Sequence, residues 1–122
     1  MGRFALLLSG ADLDKRTGNA ALAPKIYERY AAWLKEIHER GRKAEPYKLR
    51  DHAGTRLSTR GGQVVEGPFM ETKEAVGGLI FLEAESLEEA VAIARRCPVL
   101  ELQNGVVEVR VVEEVRGPGP GR

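Results

Sequence analysis

Residues 78–98 read Gly78-Leu79-Ile80-Phe81-Leu82-Glu83-Ala84-Glu85-Ser86-Leu87-Glu88-Glu89-Ala90-Val91-Ala92-Ile93-Ala94-Arg95-Arg96-Cys97-Pro98. The apolar run from Gly78 to Ala84 predicts a strand, and Leu79-Ile80-Phe81-Leu82 gives it apolar side chains on both faces. Ser86-Leu87-Glu88-Glu89 then forms a capping box, in which Ser86 and Glu89 each satisfy a backbone amide that the first helical turn leaves unbonded. Leu87, Ala90, Val91, Ala94 and Cys97 recur at helical spacing and predict the inner face of a helix. Pro98, with no amide hydrogen, is expected to stop it.

Working back from this strand and helix, Gly61-Gly62 has the form of a tight hairpin turn between extended pieces at Thr55 to Ser58 and Gln63 to Glu66. Tyr47 and Leu49 belong to a further extended piece upstream. Ile26, Tyr30, Trp33, Leu34 and Ile37 trace one face of a helix with Pro24 in its first turn and Gly41 at its end. Phe4 to Ser9 is a short buried strand rather than the core of a secretion signal, being too short and followed by no cleavage site. On the other side, Val106 to Val115 sets Val107, Val109 and Val111 on one face against Val106, Glu108 and Arg110 on the other.

Strand, helix, hairpin, strand, helix, strand is the ferredoxin-like βαββαβ plan, an α+β fold with two helices on one face of an antiparallel sheet. One domain over residues 1–116 accounts for the chain. The tail Gly117-Pro118-Gly119-Pro120-Gly121-Arg122 is expected to be disordered. Because strands such as 79–82 are apolar on both faces, the sheet face without helices is expected to meet a second subunit in a homodimer.

The 122 residues are 43% hydrophobic and 30% charged, an ordinary globular balance, with no apolar run near the ~20 residues of a membrane span. A cytoplasmic protein is therefore expected, and no membrane partner. A lone cysteine, Cys97, excludes an internal disulfide and any cysteine metal cluster, and is expected to be buried packing. Two histidines are too few for a histidine-rich metal site, so no metal is expected. Residues 1–65 carry 13 Lys and Arg against 7 Asp and Glu, and residues 66–122 carry 6 against 11. The basic residues of the first half are interleaved with Glu36, Glu39, Glu45 and Asp51, which argues for a mixed-charge surface and against nucleic acid.

Val65-Glu66-Gly67-Pro68-Phe69-Met70-Glu71-Thr72-Lys73-Glu74-Ala75-Val76-Gly77-Gly78 resembles the signature of the YCII-related family in its DGPF branch, which runs DGPF, one residue, ETKE, two residues and GG. The likeness continues through Ser86-Leu87-Glu88-Glu89-Ala90, Arg95-Arg96-Cys97-Pro98 and Val107-Glu108-Val109-Arg110. Glu66 departs from the family's Asp, and Val111 from the Pro of many members. The resemblance implies a dimeric α+β barrel, a cleft of undefined ligand and no organic cofactor. Some YCII relatives look like lyases or dehalogenating enzymes acting on small cyclic or muconate-type acids, with a His and Asp pair given acid–base work. Other DGPF-type proteins accompany extracytoplasmic-function sigma factors.

Against that background Glu66, Glu71, Lys73 and Glu74 are the densest ionisable set in the chain's signature segment. If Glu66 and Glu71 converge in a cleft, one serves as general acid or base while Lys73 holds an anionic substrate; otherwise they are a solvated loop. Gly67-Pro68 sets the direction of Phe69, as a pocket wall or as a structural anchor. His52 is the histidine suited to proton transfer, with Asp51 directed to the other strand face, whereas His38 lies off the apolar helix stripe. Arg110 shares a strand face with Glu108 and is a candidate for binding a carboxylate, or else half of a structural ion pair.

Two readings follow. The first is a cofactor-independent, lyase-like enzyme or a binding protein for a small organic acid, with catalytic His52 and Glu66 and with Pro68, Phe69, Glu71, Lys73 and Arg110 on the substrate. It expects a concave pocket with displaced pKa values. The second is a non-catalytic regulatory or interaction module, which expects a filled interior and a partner surface.

Overall fold

The computed structural model describes residues 1–10, 23–50, 54–67 and 76–115. In chain order the elements are β1 (Gly2–Ser9), α1 (Ala23–Glu39), β2 (Ala44–Lys48), β3 (Leu57–Arg60), β4 (Gln63–Glu66), β5 (Val76–Ala84), α2 (Leu87–Ala94), a 3-10 helix (Pro98–Glu101) and β6 (Val106–Val111). The main sheet is antiparallel with strand order β2-β5-β1-β6, the ferredoxin-like arrangement. The tail at 117–122 lies outside the described residues.

The hairpin is a separate ribbon, so one expectation needs refinement. β3 and β4 pair with each other through Arg60↔Gln63 and Leu57↔Glu66 and make no ladder with the main sheet. The second strand of the βαββαβ plan is instead β2, where Pro46 is tolerated because β2 is an edge strand. Gly61 and Gly62, at φ +60 and +79, make the two-residue turn with both residues left-handed, as the primed hairpin turn requires.

Alternation places the core on one side of the sheet. Phe4, Leu6 and Leu8 of β1 and Ile80, Leu82 and Ala84 of β5 are buried, packed beneath Ile26, Trp33 and Ile37 of α1 and Ala90, Ile93 and Ala94 of α2. The indole Nε1 of Trp33 donates to the carbonyl of Ile93 at 3.0 Å, which ties the two helices together inside the core. Cys97 is 1% exposed and packs in the same cluster, as its place at the end of the apolar stripe predicts.

The helix ends follow their residues. Gly41, at φ +77, closes α1 in a Schellman motif: its amide donates to His38 O at 2.9 Å, and that of Arg42 to Ile37 O at 3.1 Å. At the start of α2 the Glu89 amide donates to Ser86 Oγ at 3.1 Å, while the Glu89 carboxylate accepts from the amide of Glu85 at 2.9 Å, one residue upstream of the capping residue itself. Two details of this helix differ from expectation. Leu87 is exposed, since the short helix meets the sheet with its Ala90–Ile93–Ala94 side. Pro98 does not stop α2, which ends at Ala94; it opens the 3-10 helix, at a position whose amide needs no partner. β6 also ends at Val111, four residues short of Val115, where its pairing with Phe4 runs out.

Candidate functional site

The face of the sheet opposite the helices is formed by the other phase of the same strands. β5 contributes Leu79, Phe81 and Glu83, β1 contributes Arg3, Ala5 and Leu7, and β6 contributes Val106, Glu108 and Arg110. Tyr47 of the edge strand β2 stands opposite Leu79 and packs edge-on against Phe81, with ring centroids 6.2 Å apart. From the other side the Arg3 guanidinium lies 5.0 Å from the centroid of the Phe81 ring, a cation–π contact.

Arg110 is on this face, paired across β1 at Ala5, and its Nη1 donates to Glu108 Oε2 at 3.0 Å. The period-2 pattern placed the two residues on one face correctly. Both partners are largely exposed, so the pair is weak. Arg3 and Phe81 were not singled out from the sequence. Their phase in β1 and β5, opposite to Phe4 and Leu82, is the signal that locates them.

Glu66 ends β4 in the separate hairpin, exposed and paired in register with Leu57. It therefore shares no sheet with Arg110. His52, Pro68, Phe69, Glu71 and Lys73 lie outside the described residues. Glu74 lies there as well.

Among the described residues the groups whose titration is displaced are on the helix side. Glu89 is pulled down to about 2 by the hydrogen bond from Arg42 and that from the Glu85 amide. Burial raises both the Tyr30 hydroxyl and the Cys97 thiol, which face each other with Sγ 3.8 Å from the hydroxyl oxygen. A shallow depression between the helices, lined by Trp33, Glu36, Ile37, Arg40, Ile93 and Arg96, is on that side too. Among the described residues no group of three or more His, Cys, Asp and Glu is placed to hold a metal, and no helix is long and apolar enough to cross a membrane.

These elements define a ferredoxin-like α+β protein with a filled helix-side core and a second sheet face, apolar at its centre and charged at its rim, that carries no helix among the described residues. The family model of the YCII-related domain matches residues 12–116, and the chain belongs to that family. No curated protein matches it.

Proposed function

We propose that the protein is a homodimeric, cytoplasmic binding protein or cofactor-independent enzyme for a small organic acid, in the DGPF branch of its family. The observation that carries this reading is Arg110 standing on the open sheet face, within one strand of a surface where Arg3 and Tyr47 flank the Phe81 ring. A guanidinium beside an aromatic face suits a flat carboxylate. Arg110 holds the carboxylate, with Lys73 as a second cation and Pro68, Phe69 and Glu71 bounding the site. Glu66 and His52 exchange the proton of a lyase-like step. The spacing of Val65 to Gly78 supports the branch, and the apolar centre of the open face supports the second subunit.

A second reading, a non-catalytic regulatory or interaction module of the kind linked to sigma factors, is favoured by the filled core. Among the described residues no buried side-chain polar atom lacks a hydrogen-bond partner, which leaves no internal polar site waiting for a ligand.

Thermal melts of the native chain, Glu66→Gln, Phe69→Ala and Arg110→Ala against a panel of small carboxylates, lactones and phenolic acids separate the two. Stabilisation of the native chain that grows with ligand concentration and is lost in the variants supports the small-molecule reading. No shift with any compound moves the assignment to the interaction module.

A further inference from the structure

We infer that β6 pairs with β6 of a second copy of this chain, antiparallel and centred on Val109, so that the two main sheets run on into one another. This rests on the homodimer proposed above and names the seam at which its copies meet.

The hydrogen-bond phase of the main sheet is fixed at three points. Val112 donates its amide to Arg3 O at 2.9 Å, Glu83 to Lys43 O at 2.9 Å and Leu49 to Gly77 O at 3.0 Å. Along an antiparallel strand, alternate residues turn their backbone groups toward opposite neighbours. The bond at Val112 therefore turns the amides and carbonyls of Val106, Glu108 and Arg110 toward β1, and those of Val107, Val109 and Val111 outward. β6 is the last strand of the sheet, and among the described residues no backbone bond reaches this outer row.

The opposite edge is protected by its sequence. By the same phase β2 turns Ala44, Pro46 and Lys48 outward, and Pro46 puts a ring in place of the middle donor. β6 carries no such device. Val106-Val107-Glu108-Val109-Arg110-Val111 holds neither proline nor lysine, its charges cancel, and its ladder with β1 runs without a bulge.

What fits this edge follows from its own residues. In a two-fold pairing the outward residues of one copy must oppose the outward residues of the other. Centring the pair on Glu108 opposes glutamate to glutamate, and centring it on Arg110 opposes arginine to arginine. Centring on Val107 or Val111 leaves half of the strand or more without a partner. Centring on Val109 bonds Val109 to its own counterpart and Val107 to the partner's Val111. It also sets Glu108 opposite the partner's Arg110 on the helix-free face, in the closer, non-hydrogen-bonded pairs. The strand is thus complementary to itself in one register. Arg110, which carries the small-acid reading, then lies at the seam, and residues of both copies bound the site it marks.

The test uses the full chain. Val109→Pro removes an outward amide and no bond to β1, so sedimentation equilibrium should show a dimer dissociation constant raised about tenfold or more. Glu108→Arg and Arg110→Glu chains should each dimerise about tenfold or more weakly, and mixing them should restore the dimer, since every facing pair is then opposite in charge. In the native dimer the amides of Val107, Val109 and Val111 should exchange their hydrogens more slowly than in the monomer. If those rates are equal, or Val109→Pro dimerises as the native chain does, the seam is overturned and the homodimer stands. Reversals that leave the dimer at native strength, or weaken it without rescue on mixing, overturn the register centred on Val109. A native chain that stays monomeric at every concentration removes the homodimer reading together with the seam.

Discussion

Arg42 and Glu89 meet fork to fork, Nε 2.7 Å from Oε1 and Nη2 2.9 Å from Oε2, and so join the end of one helix to the start of the other. Each partner is placed by a cap. The left-handed Gly41 turns the chain so that Arg42 follows as the donor of the Schellman motif, and Glu89 is the third residue after the capping Ser86. Glu85 adds a longer contact to the same guanidinium at 3.7 Å. Two parallel charge-assisted bonds with one geometry hold the first helix's exit against the second helix's entry.

The pH dependence follows from the sign of the Glu89 displacement. In the fold its carboxyl titrates at about 2, below the ordinary 4.5, so folding favours the ionised form. The associated stability is complete above about pH 4.5 and is lost as the pH falls toward 2. Urea titrations across that range should show a shallower acid loss for Glu89→Gln than for the native chain. Equal acid slopes would remove the Arg42 fork as their cause.

Replacing Trp33 by Phe takes the indole donor from the Ile93 carbonyl, which keeps the Arg96 amide at 3.1 Å, and removes part of a packed ring. The expected loss is about 1–3 kcal/mol, measured by denaturant unfolding.

Leu82 is wholly buried between the helices and the sheet, and Leu82→Ala should cost about 2–5 kcal/mol by the lost transfer energy and the cavity left behind. The same unfolding curves test it.

Cys97 should react with a thiol reagent only as fast as the chain opens. It is buried, and burial raises its thiol, so the nucleophilic thiolate is scarce at neutral pH. Labelling in buffer should be slow and should become immediate in denaturant.

Gly105 closes the turn after the 3-10 helix, where a β-carbon would collide with the carbonyl oxygen of Val99. Gly105→Ala must therefore displace the backbone between the 3-10 helix and β6. A fall in melting temperature larger than that of an alanine at the open turn glycine Gly61 is expected in thermal scans.

The parts of the fold that were legible beforehand are those set by neighbours in sequence. Ile26, Trp33 and Ile37 at helical spacing gave the buried stripe of α1, and Gly61-Gly62 gave the hairpin turn, although the strand before it, read as Thr55 to Ser58, runs Leu57–Arg60 right up to the glycines. Ser86 and Glu89 marked the start of α2, because caps and turns depend on residues within a few positions. The alternation of Glu108 and Arg110 with valines was enough to place that pair on one face. The candidate site was legible only as two residues, Glu66 and Arg110, each correctly put on a strand but without any measure of their separation.

What the amino-acid sequence determined by itself is the set of elements, their order and the βαββαβ plan, since periodicity, capping and glycine conformation are local. Tertiary structure alone decided that Ala44–Lys48 rather than the hairpin joins the sheet, and that Arg42 reaches Glu89. It alone also set Glu66 and Arg110 on different sheets. Strand pairing and ion pairs between distant residues depend on how whole faces fill against one another, and a list of neighbours along the chain does not encode that distance.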